Sequence, residues 1–121
     1  MYRDLSNREQ EWVDKLLSVD FKGKDILVKQ ILKAKVIYEK GYEFISLKFD
    51  ISNSCERYPY LTRVPVEMRA YQDEGVPIVF LLHIIDGLVN ELEIFSADLS
   101  KITEDGISLK AIEYEVSEEV L

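Results

Sequence analysis

Asp86-Gly87 stands between two apolar runs, Val76–Ile85 and Leu88–Phe95, and no other feature limits the folding of this chain as much. A two-residue turn of type I′ needs positive φ at both central positions, which Asp-Gly tolerates at little cost, so the stretch reads as a β-hairpin. A two-residue loop also fixes register. It sets Ile85 opposite Leu88, His83 opposite Asn90, Leu81 opposite Leu92 and Val79 opposite Ile94. On the other face Ile84 meets Val89, Leu82 meets Glu91, Phe80 meets Glu93 and Ile78 meets Phe95. The first strand is apolar on both faces, and the second alternates, with Leu88, Leu92 and Ile94 on one side. The face of Leu81 and Leu92 is therefore expected to be core.

Arg63–Asp73 alternates too, with Val64, Val66, Met68 and Ala70 on one side and Glu67, Arg69 and Tyr71 on the other. Two closures against Val76 are open to it. A two-residue turn at Glu74-Gly75 pairs Met68 with Leu81 and keeps the apolar sets together. A three-residue loop with a bulge at Gly75 shifts the register by one. The first is preferred because polarity then agrees across three strands.

Upstream, Ser6-Asn-Arg-Glu9 forms a capping box that opens a helix over Asn7–Ser18, with Trp12, Val13, Leu16 and Leu17 as its apolar stripe. A second helix is expected over Lys24–Lys33. Lys35–Glu39 and Glu43–Phe49 form a further hairpin across Lys40-Gly41-Tyr42. Asp50–Leu61 reads as a loop, and so does Ser96–Gly106, with one helical turn near Asp98. Leu109–Val116 is a last strand and Ser117–Leu121 is expected to fray. Pro65 and Pro77 push their strand ends to edge or unbonded positions. The fold class that follows is α+β, a single domain over residues 1–121. Two N-terminal helices pack on one face of a mainly antiparallel five- to six-stranded sheet.

Charge bears on partners. The chain carries 15 Lys/Arg against 23 Asp/Glu, net −8, and residues 1–50 are nearly balanced, so the acidity is C-terminal. Backbone-tracking nucleic-acid binding needs clustered cations and is disfavoured. No apolar run approaches a membrane span and the first residues do not read as a signal peptide, so a cytoplasmic location is expected. One cysteine makes no internal disulfide.

No catalytic signature emerges. His83, the only histidine, is expected on the core face, hydrogen-bonded to Asn90 or backbone. Cys55 sits in a polar loop without an evident activating group. Together they supply two of the four ligands a zinc site wants. No phosphate loop, nucleophile elbow or zinc helix occurs. What stands out is the second sheet face, where Tyr71, Ile78, Phe80, Leu82, Ile84, Val89 and Phe95 lie beside Glu67, Arg69, Glu91 and Glu93. Apolar side chains rimmed by charge need a cover: the chain's own Asp50–Leu61 loop, its C-terminal segment, or a partner.

Val64–Glu67 (V-P-V-E), Asp73–Ile78 (D-E-G-V-P-I), Leu81–Gly87 (L-L-H-I-I-D-G) and Glu91–Phe95 (E-L-E-I-F), with Phe21–Gly23 and the opening helix, resemble an uncharacterised family of small bacterial proteins. Some relatives carry a cysteine-rich stretch near the second hairpin. Here Tyr38–Glu43 holds no cysteine, so no metal or redox role carries over from the resemblance, and no cofactor is expected. The expected function is a non-enzymatic protein-binding domain, most concretely an immunity protein that neutralises a basic bacterial toxin domain. Glu67, Arg69, Tyr71, Phe80, Leu82, Glu91, Glu93 and Phe95 are its candidate contact residues. The alternatives are a structural or adaptor homodimer, and a small ligand-binding domain or enzyme.

Overall fold

The computed structural model describes residues 1–121 and is α+β. Helices α1 (Asn7–Leu16) and α2 (Lys24–Leu32) come first, then strands β1 (Lys35–Lys40), β2 (Phe44–Asp50), β3 (Val66–Gln72), β4 (Val76–Ile85), β5 (Leu88–Ser96) and β6 (Ser108–Val116). The strands form one sheet in the order β1-β2-β5-β4-β3-β6, and every neighbouring pair is antiparallel. The expected final strand is present. The single helical turn in the β5–β6 connection falls at Glu104–Gly106 rather than near Asp98.

The helix start is built as its sequence reads. The Ser6 hydroxyl accepts from the Glu9 N–H, and the Glu9 carboxylate accepts from the Ser6 N–H at 2.9 Å. Arg3 adds a two-pronged pair to the same carboxylate at 2.8 Å. Burial opposes the charge on Glu9, yet Arg3 and Ser6 together hold its pKa below the ordinary value. Trp12 meets Phe80 edge to face, with ring centroids 5.9 Å apart. From α2, the Gln30 side chain accepts from the Val89 N–H and donates to the Gly87 and Glu56 carbonyls.

The hairpin turn is also as expected: Asp86 has φ 54° and Gly87 φ 77°. The register beyond it is not. Ile85 opposes Leu88 and Ile84 opposes Val89, but His83 then opposes Glu91, Leu82 opposes Leu92 and Phe80 opposes Ile94. Asn90 is left over as a bulge, and every later side chain of β5 changes partner. At the other end, β3 and β4 join through three residues, Asp73-Glu74-Gly75, with Glu74 and Gly75 both at positive φ. Met68 therefore opposes Phe80, not Leu81.

Two shifts of one residue compensate. Ile78, Phe80, Leu82 and Ile84 line up with Met68, Ala70, Leu92 and Ile94, and all belong to one buried cluster with Trp12, Leu16, Leu27 and Ile31. This corrects the expected core face. Leu81 points away from the core, as does His83, while Phe80 and Leu82 are fully buried. A fully buried aliphatic or aromatic side chain is worth roughly 1.5–3 kcal/mol over an exposed one, so a register that buries four large β4 side chains beside Leu92 and Ile94 wins over one that faces Leu82 and Phe80 with glutamates.

The tail is a second correction. Ser117–Leu121 does not fray: Ser117 N–H donates to the Pro65 carbonyl at 3.0 Å and Lys22 N–H to the Val120 carbonyl at 2.8 Å. Val120 is completely buried.

Candidate interaction face

The register lays the face turned away from the Phe80 cluster out in rows two residues apart along each strand, with neighbours in a row about one strand spacing apart. One row runs Phe44, Phe95, Val79, Arg69, Glu113 across β2, β5, β4, β3 and β6. The next runs Glu39, Ser46, Glu93, Leu81, Glu67, Glu115 across all six strands. The third holds Ile37, Lys48, Glu91 and His83. These rows contain six carboxylates against two permanent cations, Lys48 and Arg69. Leu81 sits between Glu93 and Glu67, so its apolar surface is framed by negative charge.

The polar groups here are tied to one another. Ser46 donates to Glu91 at 2.6 Å. Arg63 Nε donates to His83 Nδ1 at 3.3 Å, and His83 Nε2 lies 2.8 Å from Glu93 Oε1. Because Nδ1 accepts, the ring proton sits on Nε2 and is donated to Glu93. Tyr71 donates to Glu113 at 2.6 Å, and that bond, ahead of desolvation, holds the phenol above its ordinary pKa. Glu91, Glu93 and Glu113 are thus oriented, and Glu93 keeps 43 % of its side-chain surface in water.

Of the eight residues singled out in the sequence, Glu67, Arg69, Tyr71, Glu91, Glu93 and Phe95 share this face. Phe80 and Leu82 do not; the Asn90 bulge turns them into the core. Val79, Leu81, His83, Ser46, Glu113 and Glu115 take part instead. A signal for this was present: Val89 and Leu92 are both apolar but three apart, and only an extra residue between them puts both on one face of a strand.

Cys55 lies elsewhere, half-buried in a cavity of about 450 Å³ lined also by Lys29, Lys33, Ser52 and Ser54. His83 and Cys55 are not brought together. No group of three His, Cys, Asp or Glu side chains converges as metal ligands would, and no helix is long and apolar enough to cross a membrane.

The architecture, an α+β chain with a six-stranded antiparallel sheet, defines the class. The chain belongs to the family described as domain of unknown function DUF6984, whose family model matches residues 2–105. No curated protein and no solved structure matches it. Strand β6 and the buried tail lie beyond the matched stretch.

Proposed function

We propose that the protein is a non-enzymatic protein-binding domain, most concretely an immunity protein that holds a basic toxin domain against its acidic sheet face. We take α1 and α2 to lie together on the Phe80 side, which leaves the Leu81 side for the partner. The observation that carries the reading is the row Glu93, Leu81, Glu67, Glu115: an apolar centre framed by carboxylates with no cation in the row. Such a surface steers a cationic partner and repels acidic ones, which gives association rate and specificity. An inhibitor needs only that complementarity. Two copies of this face would repel each other, so it favours a different, basic protein over a homodimer.

The test uses the product of a toxin-like reading frame adjacent to this one. The expected result is a one-to-one complex that inhibits the toxin, with affinity falling at least about tenfold, or ~1.4 kcal/mol, in Glu91→Lys/Glu93→Lys while the fold persists. No complex, or a complex indifferent to the double substitution, rejects the reading.

A further inference from the structure

A second surface sits at the tip of the β4–β5 hairpin, and it has the opposite character. Loop residues Arg57–Arg63 and the turn Asp86-Gly87 enclose an open cavity of about 350 Å³. Its walls are held from several directions. Tyr58 N–H donates to the Gly87 carbonyl at 2.8 Å, and its phenol donates to the Lys22 carbonyl at 2.7 Å. Arg63 supplies its carbonyl to the Ile84 N–H at 2.7 Å. The Thr62 hydroxyl donates to Ser117 at 3.2 Å, so the buried tail braces the same loop. A cavity formed in advance costs little ordering on binding.

Into this frame the chain sets two cations and bare apolar side chains. Arg57 donates to the Asp86 carbonyl and Arg63 to His83, and neither guanidinium is in an ion pair. In a chain of net charge −8, this cavity carries two arginines against a single carboxylate residue in its lining. Asp86 is the only carboxylate residue that lines it. Leu61 is 99 % exposed at its rim, with Tyr60 partly exposed beside it. A lone exposed leucine is ordinary, but one beside two unpaired guanidiniums is what an anion-bearing apolar ligand meets well.

We propose that this cavity receives an extended acidic peptide segment of a partner protein, with a leucine-like side chain against Leu61 and Tyr60 and a carboxylate on each of Arg57 and Arg63. Positive charge disfavours the basic partner assigned to the sheet face, and since Arg63 also reaches His83 on that face, it is Leu61→Ser, remote from the Glu91 and Glu93 carboxylates, that lets the two readings fail separately.

The full-length protein is titrated with an acetylated, amidated nonapeptide of alternating glutamate and leucine, and amide shifts are followed by NMR. Saturable shifts at Tyr60–Arg63 and Ile84–Gly87 are expected, with binding at least tenfold weaker for the glutamine–leucine and lysine–leucine counterparts. Arg57→Gln/Arg63→Gln should weaken it at least tenfold. Leu61→Ser, which disturbs no packing, should do so severalfold and keeps the test decisive if the arginine pair proves needed for folding. The absence of saturable shifts, shifts confined to another surface, or affinity unchanged in Leu61→Ser overturns the proposal. So does equal binding of a polyphosphate chain of the same charge, which would make the cavity a general anion site.

Discussion

Single side chains carry opposite duties one position apart. Phe80 and Leu82 sit in the core, while Leu81 between them faces the glutamates. Leu82→Ala should lower stability by about 2–5 kcal/mol in urea melts because it opens a cavity, and Leu81→Ala should cost far less. Tyr58 is a second test at this scale. Burial first, and Tyr60 beside it, push its phenol up to about 12 from the usual 10. A raised pKa means the folded chain keeps the proton that the unfolded chain gives up. The stability Tyr58 lends is therefore whole below pH 10 and drains away as pH rises towards 12. Tyr58→Phe removes that dependence, and its urea midpoint should fall less steeply than the parent's over this window.

At the scale of elements, the Asn90 bulge decides which face of the hairpin is which. Turn type, capping box, both helices and most strand positions are legible in the sequence because each rests on local chemistry: positive φ at Asp86-Gly87, a hydroxyl at Ser6, apolar spacing in α1. The bulge was not legible from the turn, since a two-residue loop fixes only the pairs next to it. Asn90 is polar and exposed and gives no apolar mark; only the three-residue step from Val89 to Leu92 betrays it. For the same reason six of the eight candidate residues lie together on one face, while Phe80 and Leu82 lie in the core. Deleting Asn90 should set Leu82 and Phe80 against glutamates again, and a loss of cooperative thermal unfolding is the expected outcome. The α1 start offers a milder lesion. Glu9→Gln breaks the Arg3 pair and weakens the cap, at a cost of about 1–3 kcal/mol near neutral pH. Because the Glu9 pKa is lowered on folding, that contribution exists above the ordinary glutamate range and is lost on acidification. Parent and variant should converge in stability as pH falls below it.

Across the whole molecule, the surface is divided by charge: an acidic sheet face, a cavity at the hairpin tip whose two arginines are in no ion pair, and a tail that ties the end of the chain to both the α1–α2 connection and the Thr62 loop. Ser117–Leu121 was expected to fray, yet Val120 gives it a buried anchor. Removing residues 117–121 should lower the thermal midpoint and speed hydrogen exchange at Tyr58–Arg63. The division itself rests on the hairpin register. That register is tested most directly by thiol labelling of Leu81→Cys and Leu82→Cys, each in a Cys55→Ser background, with a maleimide under native conditions. Rapid modification at position 81 and protection at position 82 is the expected result. Protection at 81 with rapid modification at 82 would put Leu81 in the core and remove the acidic face from the account.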